Sequence, residues 1–206
     1  MKRILLMTGL IFSAAVFAEN VDPYGSGEQY GWSENTGWLN AEPSVGGGMQ
    51  VESNKITGWI WAENIGWINL HCENNGTCAS VSFGVVNDGA GNLSGYAWGE
   101  DVGWINFDPY VSGETRLNEY CVRIDEDGRL SGWAWGENIG WIHFDAAQTW
   151  DVRACIVTME DLAHFAADWL DTGPGNLNGT GYTDMADFDM FAEKWLDYCP
   201  DGWQLK

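Results

Sequence analysis

Positive charge is scarce in this sequence. Its 206 residues include 9 Lys and Arg against 30 Asp and Glu, which gives a formal net charge of −21 at pH 7. A chain this acidic cannot neutralise phosphates, and anionic membrane surfaces repel it. Nucleic-acid binding is therefore excluded, and we expect neutral or cationic partners.

Signatures of catalysis are also missing. None of the three histidines is spaced as a metal-ligand pair, and no nucleophile elbow, phosphate-binding loop or dinucleotide-binding motif occurs. Glu63, Glu100 and Glu137 recur at one equivalent turn position of a repeat, whereas a glycosidase needs two differently tuned carboxyl groups. We therefore expect a protein that is not an enzyme.

Only one long apolar run is present, in residues 1–18. This segment starts with Lys2 and Arg3, continues with apolar residues and ends in Ala18, which is typical of a cleavable secretory signal. The run is short for a membrane span, and no second candidate follows. We predict a soluble, exported bacterial protein, extracellular or periplasmic and without membrane insertion, whose mature chain starts at Glu19.

Five cysteines in an exported chain favour disulfides. Cys72 and Cys78 flank a turn-rich spacer that can join two strand ends, and Cys155 and Cys199 bracket a helical region. We predict these two pairs, which leaves Cys121 as a buried thiol.

Glycine and tryptophan are abundant, with 27 and 14 residues, and much of this excess belongs to an internal repeat. The copies are ITGWIWAENIGWINL (56–70), LSGYAWGEDVGWINF (93–107), LSGWAWGENIGWIHF (130–144) and the shorter YGWSENTGWLN (30–40). Each full copy follows another alternating run with turn residues, which predicts a three-stranded antiparallel meander. The repeats resemble Trp-rich repeats of exported bacterial proteins that have no assigned activity.

The turn inside each copy sets the expected strand pairing. A turn over Asn64 and Ile65, closed by Gly66, places Trp61 opposite Asn69. Each hairpin then has one face of small and aliphatic residues and one face of Trp, Glu and Asn.

The tryptophan face permits two interpretations. Flat rings beside amides and carboxylates suit carbohydrate, so the face is a possible ligand-binding surface. Alternatively, rings that recur at a fixed period stack on the next unit and form a continuous core, which is the interpretation we favour. The candidate residues are Trp61, Trp67, Trp98, Trp104, Trp135 and Trp141.

The period changes after Asp145. Segments 158–170 and 184–196 align at an offset of 26 residues, with apolar residues at helical spacing. Thr158 with Asp161, and Asp184 with Asp187, provide capping boxes. The fold class expected is mainly β, with tandem meanders over residues 19–149 arranged as an array, sandwich or barrel, followed by a small helical pair over 150–206.

Residues 176–187, NLNGTGYTDMAD, and the duplicated helix resemble a type I dockerin, a loop-helix module that binds cohesin domains in cellulose-degrading bacteria. The resemblance implies a calcium loop with Gly181 at its sharp turn. The implied ligands are Asn176, Asn178, Thr180, the carbonyl of Tyr182, Asp184 and Asp187. Only two of them are carboxylates, so weak Ca²⁺ binding is expected, and a metal-free glycine turn is the alternative.

These observations predict an exported, non-catalytic interaction or assembly protein. Its dockerin-like tail attaches it to a cohesin-like protein partner or a cell-surface component. The alternative is a carbohydrate-binding component of an extracellular assembly that degrades polysaccharide.

Overall fold

The computed structural model describes residues 20–22, 24–109, 120–145, 151–199, 203 and 205. The predicted signal segment 1–18 and the expected boundary between residues 149 and 150 lie outside this part of the chain. Strands β1 to β12 are Tyr30–Ser33, Gly37–Asn40, Met49–Val51, Ile56–Ala62, Gly66–Asn69, Val85–Asn87, Leu93–Gly99, Gly103–Asn106, Arg123–Ile124, Leu130–Ser131, Trp133–Gly136 and Gly140–His143. A 3-10 helix (Cys72–Asn75) follows β5, and helices α1 (Met159–Ala167) and α2 (Met185–Glu193) end the fold.

Eight of the strands form a closed antiparallel barrel. Four hairpins, β1–β2, β4–β5, β7–β8 and β11–β12, stand side by side, and the order β2-β1-β12-β11-β8-β7-β5-β4 returns to β2 through pairing of β2 with β4. The expectation of a mainly β fold is confirmed, and the strands close as a barrel rather than as an open array or a sandwich.

The barrel is filled from the small and aliphatic face of each hairpin. The buried inward residues of the first strands are Gly31, Ser33, Ile60, Ala62, Ala97, Gly99, Ala134 and Gly136. Those on or just after the second strands are Leu39, Ala41, Ile68, Leu70, Ile105, Phe107, Ile142 and Phe144. The interior of an eight-stranded barrel is just wide enough for side chains to fill, and this combination of small and large residues fills it.

The tryptophans lie on the outside of the barrel. Trp61 and Trp98 are half-buried, and Trp135 is 37 % exposed, whereas Ile105 and Ala97 are fully buried. Our preferred interpretation of the tryptophan face as a continuous core was therefore wrong. The physical reason is space, because indole rings do not fit the interior of so narrow a barrel.

The hairpin turns start one residue earlier than predicted. The Ile65 amide donates to the Ala62 carbonyl at 3.3 Å, and Gly66 starts the second strand with φ +74°. Trp61 therefore pairs with Trp67 instead of Asn69, although both faces keep the composition that was predicted. The residue before each turn glycine points into the barrel end, where Thr36, Val102 and Ile139 are buried and Ile65 packs against the core.

Glycines let the strands leave the barrel at its other end. The first part of β4 pairs with β3 and β6, and its second part pairs with the barrel strands β2 and β5. Gly58 lies between the two parts with φ +79°, and Gly95 and Gly132 hold the same place in β7 and just before β11, with φ +87° and +86°. A side chain at Gly95 would meet the Gly84 carbonyl oxygen at 2.3 Å, so only glycine fits.

The tail packs directly on the barrel. Val152 and Ala154 belong to the barrel core, and the Asn20 side-chain amide donates to the carbonyls of Val51 (2.7 Å) and Cys199 (3.0 Å). Tyr198 packs on the same core. Asp151, Arg153 and Ala154 form bridges to Tyr30, Arg129 and Val21, whereas Cys155 and Val157 belong to the core of the helical tail.

Both predicted disulfides, Cys72–Cys78 and Cys155–Cys199, are present, and Cys121 is a buried thiol. Both capping boxes form as well. Neither helix in the described part of the chain is long and apolar enough to cross a membrane.

Replacing Gly95 by Ala is expected to lower the free energy of unfolding by about 3 kcal/mol or more, because the new methyl group meets backbone and the residue must keep a positive φ. Gly66→Ala is the matched control, since Gly66 has φ +74° and a methyl group added there would have no other atom within 4 Å. It should cost only about 1 kcal/mol. Urea denaturation measures both values, and equal losses would contradict the close approach at Gly95.

Candidate functional site

A belt of aromatic rings surrounds the barrel. Every hairpin contributes one edge-to-face pair of indoles, and the ring centroids lie at nearly constant separation. The pairs are Trp32–Trp38 at 4.8 Å, Trp61–Trp67 at 4.9 Å, Trp98–Trp104 at 4.7 Å and Trp135–Trp141 at 4.8 Å. All six candidate tryptophans of the sequence analysis thus belong to the belt, joined by the pair of the short copy.

The belt is organised in four rows that cross from one hairpin to the next. Each row starts with an aromatic residue that pairs with a polar residue across the same hairpin. The polar residue also pairs with a tryptophan of the next hairpin. This tryptophan pairs in turn with the second tryptophan of its own hairpin. The rows are Tyr30–Asn40–Trp61–Trp67, Trp59–Asn69–Trp98–Trp104, Tyr96–Asn106–Trp135–Trp141 and Trp133–His143–Trp32–Trp38.

The asparagines of the rows also end their strands. The Asn106 Oδ1 accepts a hydrogen bond from the Asp108 amide at 3.0 Å, and the Asn40 Oδ1 accepts one from the Glu42 amide at 2.9 Å. This local bond occupies the carbonyl oxygen of the side chain. In Asn106 and Asn40 the amide NH₂ is the remaining polar group at the barrel surface.

The helical tail carries a second candidate binding surface, separate from the aromatic belt. Phe165 of α1 and Phe191 of α2 are buried with ring centroids 5.2 Å apart, which makes the seam between the helices. The helices end at Ala167 and Glu193, so the expected apolar stripe is interrupted there. Beyond the helix ends, Leu170 and Leu196 are each 68 % exposed.

The two halves of the tail have matching backbone geometry. The Leu170 amide donates to the Thr183 carbonyl, and the Leu196 amide donates to the Val157 carbonyl, at 2.9 and 3.1 Å. Leu170 and Leu196 have φ +63° and +60°, a conformation that a residue with a branched side chain rarely adopts. The same strained exposed leucine therefore occurs twice. Residues of this kind are concentrated at functional sites.

The loop with the implied calcium ligands holds them in hydrogen bonds of its own. Asp187 accepts from the amides of Asn178 (2.8 Å) and Asp184 (2.9 Å), and the Asn178 Oδ1 accepts from Thr180. The Oδ1 of Asn176, at the first ligand position, is buried without a hydrogen-bond partner. A bound cation would satisfy this oxygen, so the residues present are compatible with calcium.

A cleft of about 830 Å³ lies between the barrel and the tail. Trp59, Asn74 and Tyr198 are among the residues that line it. Burial raises the pKa of Tyr198, whose hydroxyl accepts a hydrogen bond from Asn87 at 3.2 Å. This cleft was not predicted, because it forms only where the tail meets the barrel.

Two ion pairs at the periphery of the barrel each contain a group whose pKa is shifted. Burial alone would raise the pKa of Glu28, but hydrogen bonds from Ser26 and Arg129 and the charges of Arg129 and Arg153 outweigh it and lower the pKa. A hydrogen bond of 2.6 Å to Glu73 raises the pKa of Lys55. The geometry of both groups indicates a structural role.

In the part of the chain that the structure describes, one group of three His, Cys, Asp or Glu side chains has its ligand atoms within 4.8 Å of one another, namely His71, Cys72 and Cys78. Because the two cysteines are bonded to each other, their thiolates are not available as ligands. This group is a disulfide beside an imidazole.

Truncation of a belt residue is expected to cost less stability than truncation of a core residue. Phe107 is 1 % exposed, so Phe107→Ala should lower the free energy of unfolding by about 3–5 kcal/mol. Trp135→Ala should lower it by about 2 kcal/mol or less, because part of the ring is already in water. Urea denaturation of both variants tests this ranking. An equal loss in Trp135→Ala would mean that the belt is needed for folding.

Comparison of the chain with known protein families, with curated proteins and with solved structures found no match. The chemistry of the aromatic belt, the tail surface and the loop 176–187 is therefore the basis for assigning a function.

Proposed function

We propose that this is an exported, non-catalytic interaction protein whose dockerin-like helical tail attaches it to a protein partner or to a cell-surface component. The observation that carries the proposal is the duplicated pair of strained, exposed leucines, Leu170 and Leu196. A folded protein does not keep a large apolar side chain in water on a strained backbone for stability.

Further exposed apolar side chains lie at the same two ends of the helix pair, where Leu170 bonds Thr183 and Leu196 bonds Val157. Trp169 and Trp195 precede the leucines and are 41 % and 37 % exposed, and the helix-start residues Met159 and Met185 are 66 % and 61 % exposed. Each pair is separated by 26 residues, the offset of the duplicated segments. Tryptophan, methionine and leucine at an exposed surface are typical of a protein-binding site.

The attachment would be rigid. The disulfide Cys155–Cys199 closes the base of the tail, and the side-chain amide of Asn20 bonds both Cys199 and Val51 of β3, which pairs with the barrel strand β4. A partner bound to the tail would therefore hold the barrel in a fixed orientation, without a flexible linker.

The tail surface can be tested with the double variant Leu170→Lys/Leu196→Lys. Wild-type protein is expected to bind a recombinant type I cohesin domain or isolated bacterial cell envelopes, and the variant is expected to bind at least about tenfold more weakly, because two charges would be buried at the contact. Val45→Lys is the matched control, since Val45 is 75 % exposed on another part of the chain. Biolayer interferometry measures the affinities. Binding that the tail variant leaves unchanged would contradict the proposal.

Calcium would stabilise the loop that connects the two halves of the tail. The support is the partnerless buried Oδ1 of Asn176 together with the carboxylates of Asp184 and Asp187. With only two carboxylates the dissociation constant is expected near the millimolar range of extracellular calcium sites. The alternative is a metal-free glycine turn.

Replacing Asn176 and Thr180 by Asp is expected to tighten calcium binding about tenfold or more, because affinity rises with the charge of the ligands. Without calcium the variant should be less stable than wild type, since an Asp at position 176 cannot donate the 3.1 Å hydrogen bond to the Gly181 carbonyl. Isothermal titration calorimetry measures the affinity. Asn75→Asp adds a charge at an exposed Asn-Gly site outside the loop and is the control. Equal calcium affinity in all three proteins would contradict a site in the loop.

A second candidate function is carbohydrate binding by the barrel, as part of an extracellular polysaccharide-degrading assembly. The observation that favours it is the belt of indole pairs beside asparagine amides, because aromatic rings bind the apolar faces of sugars and amides bind their hydroxyl groups.

A further inference from the structure

The four rows of the aromatic belt are equivalent in strand pairing but differ in exposure. In the row Tyr96–Asn106–Trp135–Trp141, Tyr96 is 49 % and Trp135 is 37 % exposed. Trp104 of the adjoining row is 40 % exposed and contacts Tyr96 with a centroid separation of 6.3 Å. Three of the exposed rings of the barrel therefore surround Asn106.

In each of the three remaining rows, the two rings that face the polar residue are half-buried. Asn69 is 2 % exposed, and its Oδ1 accepts a hydrogen bond of 2.6 Å from Asn74 of the 3-10 helix. Trp67 is half-buried, and the loop glycine Gly46 lies against its ring. His143 is stacked on Trp133 with a centroid separation of 3.8 Å and is paired with Asp145.

We propose that Tyr96, Trp135 and the amide of Asn106 form a platform for an extended, neutral β-linked polysaccharide, with Trp104 standing nearly perpendicular to Tyr96 at its border. This inference rests on the carbohydrate-binding candidate of the proposed function and names its site and ligand class. Among the four rows, this is the one in which both rings that face the polar residue are exposed to solvent.

The spacing of the rings selects the shape of the ligand. Tyr96 on β7 and Trp135 on β11 are separated by one strand, β8, and neighbouring strands lie 4.7–4.9 Å apart, so the two side chains are about 10 Å apart along the row. An extended β-1,4-linked chain presents equivalent sugar faces once per disaccharide, at a comparable spacing. A coiled α-linked chain does not present such a flat run.

The polar chemistry selects a neutral ligand. The Asn106 Oδ1 is occupied by the Asp108 amide, so the NH₂ group of Asn106 remains to donate to a sugar hydroxyl between the two rings. The net charge of −21 repels anionic polysaccharides.

Binding of the full chain to cellulose, β-mannan and xylan is the test, with amylose and polygalacturonate as α-linked and anionic controls. Pull-down isotherms and affinity electrophoresis should show binding to at least one neutral β-linked polymer and no binding to the controls. Trp135→Ala, Tyr96→Ala and Asn106→Asp should each weaken binding about tenfold, equivalent to one contact worth about 1.4 kcal/mol. Asn106→Asp keeps the oxygen that ends the strand, so it remains informative if a ring variant folds poorly.

Trp38→Ala is the matched control. Trp38 is 41 % exposed on the barrel, but the polar residue of its row, His143, is stacked on Trp133 and paired with Asp145, so this variant should bind like wild type. Loss of binding in Trp38→Ala equal to that in Trp135→Ala, or unchanged binding in all platform variants, would overturn the platform and leave carbohydrate binding by the barrel intact. Failure of the wild-type chain to bind any neutral polysaccharide would overturn both.

Discussion

Closure of the barrel is the constraint on which the rest of the structure depends. The ring closes where Leu39 of β2 pairs with Ala62 of β4 and where Trp32 of β1 pairs with His143 of β12. Eight strands enclose so little space that a large inward residue needs a small one beside it. Apart from Ile60 and Ala41, the first strands supply glycine, alanine and serine, and the second strands supply isoleucine, leucine and phenylalanine. The repeated sequence is thus a solution to one packing problem, used four times.

Positions inside and outside the barrel both differ between the four hairpins, but under different constraints. An inward residue cannot change size alone without leaving a cavity or a clash, so the residue equivalent to Phe107 can be Ala41 only where the neighbouring side chains differ as well. The outer positions contact only one layer of neighbours. Position 143 is His where the other rows have Asn, and position 96 is Tyr where the equivalent residues 59 and 133 are Trp. The barrel core fixes the geometry, and the outer rows are where separate ligand preferences can arise.

The sequence predicted those parts of the structure that depend on nearby residues. Alternation separated the two faces of each hairpin, the spacing of Thr158 and Asp161 gave a capping box, and the short spacer from Cys72 to Cys78 gave a disulfide. Which face lies inside could not be read in the same way, because both faces carry large apolar side chains and only closure of the barrel decides between them. The apolar stripe of the tail was extended too far for a similar reason. The chain turns at Leu170 to bond Thr183, a contact that no local pattern indicates.

The packing of the tail on the barrel connects the two proposed binding surfaces, one on the tail and one on the barrel. In the first half of the tail, residues 151–154, which correspond to residues 177–180 of the loop, pack on the barrel side of the molecule. Val152 and Ala154 are buried in the barrel core, and Ala154 pairs with Val21. The second half keeps a polar loop whose Asn176 has a partnerless oxygen. A cation in that loop would order the outer half of the tail only, since barrel packing already orders the inner half. If calcium binds as proposed, it would act on the proposed docking surface around Leu170, and the proposed platform around Asn106 should keep its geometry whether or not the ion is bound.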